Sequence, residues 1–186
     1  MLVKKYKKEN KVLEIHTDES AESPREWDNL GVMVCAHQRY NLGDIQVNSK
    51  EELEEKLKEA FIKLPLYLYD HSGLSISTKN DYPFNDQWDA GQVGFIIVSE
   101  SKLKKEYQVK EVTKEIIDKA KQVLINEVDT YDRYLRGEIY GFETFELEKC
   151  NMNEEHKKDL DSCWGFYSIE SILDETNFKD GEEVLI

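Results

Sequence analysis

The chain has 186 residues, of which 39% are hydrophobic, 34% charged and 11% aromatic, and its formal net charge is −14. That length suits one hydrophobic core, so a single domain over 1–186 is expected, and the recurrence of large apolar residues along the chain argues against disorder. The acidity excludes nonspecific binding to nucleic acid, because phosphate recognition needs clustered Lys and Arg.

Three widely spaced cysteines, Cys35, Cys150 and Cys163, do not resemble a disulfide framework and fit a reducing, cytoplasmic setting. No apolar run approaches the ~20 residues of a transmembrane helix. The basic start, with Lys4, Lys5, Lys7 and Lys8, has no apolar stretch behind it, so it does not read as a signal peptide. Residues 1–10 are expected to be a frayed, solvated start.

The first strand is expected over 11–16, followed by a polar loop over 17–25, and the apolar run 32–36 reads as a second, buried strand. Ser49 and Glu52 make a capping box that opens a helix. Leu53, Leu57, Ala60, Phe61 and Leu64 fall on one face of it, and Pro65 ends it. Strands are expected at 66–69, at 74–77 after a turn, and at 93–99.

A long helix follows. Thr113 is its cap, Ile116, Ile117, Ala120, Val123, Leu124, Val128, Tyr131 and Leu135 keep helical spacing, and Gly137 is the stop. Residues 138–147 and 162–167 read as two strands of a long hairpin, and a short helix over 169–173 is capped by Ser168. The pattern predicts an α+β fold, a mostly antiparallel sheet with two main helices packed on it.

Several strings are distinctive: SPREWDNLG (23–31), RYNLGD (39–44), LPLYLYDHSG (64–73), WDAGQVG (88–94), YLRGEIYG (134–141) and DSCWGFY (161–167). Together they resemble a family of proteins encoded by tailed phages and prophages, over most of the chain between 23 and 167. The resemblance implies a phage accessory protein acting inside the infected bacterium.

Asp28, Asn29, Asp44, Asp70, His71, Asp89 and Gln92 stand beside Trp27, Tyr40, Tyr69 and Trp88 in turns at the ends of apolar runs, where functional groups gather on a rigid scaffold. If the turns converge, Asp28, Asp44, Asp70 and Asp89 have the chemistry to hold a hard cation. His71, with Asp70, Asp28 and Asp89, has the chemistry for acid–base work. The competing reading is that turn Asp and Asn residues bond their own backbone. Cys35, His37 and Cys163 lack the close cysteine pairs of zinc motifs. Neither a phosphate-cradling glycine loop nor a serine nucleophile elbow is present, and no cofactor is predicted.

The function expected from these features is that of a non-enzymatic, acidic interaction protein, a phage antagonist of a bacterial defence nuclease of the anti-CRISPR or anti-restriction type. Its carboxylates would take the place of nucleic-acid phosphates on a cationic groove. Glu51, Glu52, Glu55 and Glu59 on the first helix, with Glu127, Asp129 and Asp132 on the long one, are the expected contacts. The partner would be a nucleic-acid-handling protein, with no direct nucleic acid and no membrane involved. A small metal-assisted enzyme built on the turn cluster, and a structural or regulatory phage protein, are the alternatives.

Overall fold

The alternation of Leu13 and Ile15 with Val12, Glu14 and His16, and the three-to-four spacing of Ala120, Leu124, Val128 and Tyr131, set up the two kinds of layer found in the structure. A computed structural model describes residues 1–37, 39–70, 73–79, 90–149 and 155–185. In chain order the strands are β1 (Leu2–Lys8), β2 (Lys11–Thr17), β3 (Val32–Cys35), β4 (Ile45–Gln46), β5 (Ile62–Asp70), β6 (Leu74–Ser77), β7 (Ala90–Val98), β8 (Tyr140–Lys149), β9 (Glu155–Phe166) and β10 (Glu182–Val184). The helices are α1 (Lys50–Leu57), α2 (Glu100–Glu106), α3 (Lys114–Leu135) and α4 (Ile169–Glu175), with one 3-10 turn at Pro24–Glu26. The fold is α+β with mostly antiparallel sheets, as the sequence predicts.

The chain divides into two compact units. The first joins Met1–Glu22 to Gly137–Ile186 and holds a five-stranded sheet in the order β10-β1-β2-β8-β9, every pairing antiparallel. Leu13 and Ile15 of β2, Tyr6 of β1 and Phe142 of β8 turn one face of this sheet toward Ile172 of α4 and Phe178. The opposite face carries Glu14, His16 and Glu143, because residues two apart on a strand share a face and Glu14 stands directly across from Glu143.

The second unit, Ser23–Arg136, holds the sheet β4-β3-β7-β5-β6, antiparallel except for the β3–β4 pair. Its core gathers Met33, Leu66, Ile76, Ile96 and Val98 from the strands against Leu103 of α2 and Ala120, Leu124, Val128 and Tyr131 of α3. The long helix matches its expected limits: Thr113 accepts a hydrogen bond from the Ile116 amide, and Gly137 takes the left-handed conformation, φ 68°, that stops it.

Four expectations change. Residues 1–10 are not a frayed start, since Leu2–Lys8 pairs with both β2 and β10. The first helix ends at Leu57, well short of Leu64, and Phe61 and Leu64 belong to the β5 region instead. Pro65 lies inside β5 without losing a sheet bond on its far side, because β6 pairs only with Tyr67–Asp70. The hairpin strand expected at 162–167 begins at Glu155.

Candidate functional site

The turn residues of the second unit form a polar network centred on Arg25. The 3-10 turn, capped by Ser23, aims this arginine inward until its side chain is only 5% exposed. Its Nε and Nη2 donate to the two oxygens of Asp44 at 3.0 and 2.6 Å, Nη1 reaches Glu127 at 3.4 Å, and Nη2 also donates to the Gly31 carbonyl. Glu127 accepts in addition from the Leu30 and Gly31 amides, and Asp44 from the Met33 amide at 2.7 Å. Burial acts to lower the Arg25 pKa, but Asp44 and Glu127 outweigh it and hold it above its ordinary value. For Glu127, burial dominates and raises the carboxyl, against the pull of the two amides and Arg25. The network fastens the 23–31 loop and Asp44 to α3, which is structural chemistry of the kind buried charges need.

The other turn residues separate. Asp28 is 99% exposed and meets Lys102 at 3.4 Å. Asp70 accepts from the Tyr40 hydroxyl at 3.2 Å and pairs with Arg39. Asn29 donates to the Pro24 and Trp27 carbonyls, an internal turn bond. His71, Asp89 and Trp88 lie outside the described residues. Asp28, Asp44 and Asp70 therefore each serve a different local partner, and among the described residues they form no shared group of metal-ligating atoms.

Cys35, His37 and Cys163, whose spacing lacks the zinc pattern, have separate surroundings. His37 accepts at Nδ1 from the Arg39 and Tyr40 amides and stacks on the Tyr40 ring. Cys35 is fully buried in β3, and burial, reinforced by Asp44, pushes its thiol up to about 12. Cys163 is exposed on β9.

Of the acids expected to face a partner, Glu51, Glu52, Glu55 and Glu59 are exposed on or just after α1, a helix with no buried residue. Ser49 caps α1 by accepting from the Glu52 amide, and Glu52 reaches back to the Asn48 amide. Lysines are interspersed: Lys50 pairs with Glu54, and Lys58 with Glu55. A hollow beside the helix is lined by Leu30, Val32, Ile45, Ile97, Lys56 and Glu59 among others. On α3, Asp129 is exposed, whereas Glu127 belongs to the Arg25 network and Asp132 accepts from the Ser75 hydroxyl and the Ile76 amide, both at 2.8 Å. Those two acids hold the second unit together and are not free to meet a partner.

A constellation that the sequence reading passed over lies on the first unit's sheet. His16 Nε2 stands 4.0 Å from Glu14 Oε2 and 4.0 Å from Glu143 Oε2. Among the described residues these three side chains form a group whose donor atoms lie within 4.8 Å of one another. Burial acts to raise the Glu14 carboxyl, but Lys5 at 2.9 Å and Lys157 at 3.5 Å prevail and hold it below the ordinary carboxylate range. The ammonium groups of both lysines lie over the buried Phe145 ring, Lys5 at 6.0 Å and Lys157 at 3.9 Å from its centre. Trp164 closes one side: a Cβ at Gly141 would sit 2.0 Å from its indole, so only glycine lets the ring lie across β8 toward His16, 6.2 Å away. The alternation of Glu14 and His16 on β2 was visible in the sequence, but their union with Glu143 depends on pairing with a distant strand.

Comparison with known proteins returns no matching family model, no matching curated protein and no matching solved structure. No helix among the described residues is long and apolar enough to cross a membrane.

Proposed function

We propose that this chain is a non-catalytic interaction protein, encoded by a phage and acting in the host cytoplasm, whose acidic surface occupies a cationic groove on a defence nuclease or another nucleic-acid-handling protein. The observation that carries the reading is a net charge of −14 combined with Glu51, Glu52 and Glu55 of α1 and Glu59 just after it, all of which face solvent. Carboxylates spaced along a helix complement a surface built for phosphates and accelerate encounter with it. The apolar hollow alongside α1 supplies area that charge alone does not, since stable interfaces combine an apolar centre with a polar rim.

The test is capture of partners from an infected host by the tagged protein, followed by titration of the recovered partner against salt. Binding that falls steeply between about 50 and 200 mM salt supports the reading, because the screening length for exposed charges shortens from about 14 to about 7 Å over that range. Reversing Glu51, Glu52, Glu55 and Glu59 to lysine is expected to weaken binding at least tenfold, mostly through the association rate. Recovery of no nucleic-acid-handling protein, or salt-independent binding that survives the reversal, refutes it.

A further inference from the structure

Glu14, His16 and Glu143 have no part in the proposed docking surface, and their geometry raises a separate question. β2 and β8 are inner strands of the first sheet, each paired on both sides, so the three side chains stand on the most constrained backbone of that unit. The register sets Glu14 opposite Glu143 and His16 opposite Gly141, which puts two carboxylates and an imidazole on one face within two rungs of the ladder.

The distances are unusual in one respect. At 4.0 Å from each carboxylate, His16 Nε2 is too far to hydrogen-bond either of them. The atom is nevertheless shut off from solvent and has no hydrogen-bond partner among the described residues. A buried imidazole nitrogen without a partner is costly, and here it is aimed at two carboxylate oxygens. A single cation between the three atoms removes that cost. An ion equidistant from donors so spaced lies roughly 2.5 Å from each, a few tenths of an ångström beyond the ~2.0–2.2 Å of zinc–imidazole and zinc–carboxylate bonds.

The surroundings favour this use. Lys5 and Lys157 both engage Glu14 through Oε1, leaving Oε2 directed at His16. They orient the carboxylate much as outer partners orient the ligands of metal sites. Glu143 is half exposed, so an ion and its remaining water ligands have access from solvent. One nitrogen and two oxygens suit zinc or a neighbouring first-row divalent ion better than calcium or magnesium, which take oxygen ligands.

We propose that Glu14, His16 and Glu143 bind one first-row divalent cation, zinc by donor set, on the face of the first unit's sheet beside Trp164.

The test uses the full-length, untagged chain under reducing conditions, with zinc(II) and cobalt(II) salts as probes. One equivalent is expected to bind by calorimetry, and the cobalt form to show d–d bands without the charge-transfer band of a cobalt–thiolate bond. His16→Gln and Glu143→Gln are each expected to weaken binding tenfold or more, and Cys163→Ser to leave it unchanged. The partly exposed Glu143 position keeps the test decisive if the His16 variant folds poorly. Absence of stoichiometric binding, a thiolate band, or affinity unchanged by both the His16 and Glu143 substitutions overturns the proposal.

Discussion

Arg25 is the residue on which the second unit's loops converge. With its side chain 5% exposed and its donors divided among Asp44, Glu127 and the Gly31 carbonyl, it neutralises two carboxylates that burial would otherwise penalise. Arg25→Ala leaves both acids without their counter-charge, and the expected loss is about 3–5 kcal/mol of unfolding free energy in urea titrations. A loss near zero would mean that water replaces the guanidinium without penalty. The inward placement of Glu127 and Asp132 was partly legible in the sequence. Glu127 lies three residues after Leu124 and four before Tyr131, and Asp132 lies four after Val128, so both border the buried stripe of α3. Their charge suggested a solvated role, whereas their helical position foretold a buried one. What no spacing revealed is the set of loop amides and hydroxyls that they accept from.

At the scale of elements, local signals carried the reading furthest. Thr113, Gly137 and the apolar stripe between them delimit α3, and Ser168 delimits the start of α4, because caps and periodicity act within a few residues. β6 is likewise found where Leu74, Ser75, Ile76 and Ser77 alternate. Signals failed where tertiary pairing decides. Lysines made β1 look frayed, yet Tyr6 among them is buried in the core with Leu13, Ile15 and Phe142, and β1 is paired on both sides. Phe61 and Leu64 continue the α1 pattern in sequence, but the ladder with β7 claims the chain from Ile62 onward. The candidate cation site was hidden for the same reason, since β2 meets β8 only after the whole second unit has intervened. The packing of Trp164 across β8 gives an element-scale prediction. Gly141→Ala places a methyl group 2.0 Å from the indole and must displace it. The expected outcome is a red-shifted Trp164 emission, measured with the other two tryptophans replaced by phenylalanine; an unchanged spectrum would show that the ring does not lie over the strand.

On the scale of the whole molecule, the two units differ in how the chain supplies them. The second is continuous, from Ser23 to Arg136, with its own sheet, its own long helix and its own buried cluster. A fragment of residues 23–136 is therefore expected to unfold cooperatively in denaturant and to retain a near-ultraviolet circular dichroism spectrum, whereas a molten fragment would show that its core is incomplete. The first unit is discontinuous, and this has a consequence during synthesis. β1 and β2 leave the ribosome early, but the neighbour that β2 requires is translated only after the entire inserted segment, a delay of about 6–23 s at ordinary elongation rates. Through that interval a nascent hairpin has an open edge that invites pairing with other chains. Lys4, Lys5, Lys7, Lys8 and Lys11 give every such hairpin the same sign of charge, which is expected to disfavour pairing between like hairpins until β8 arrives.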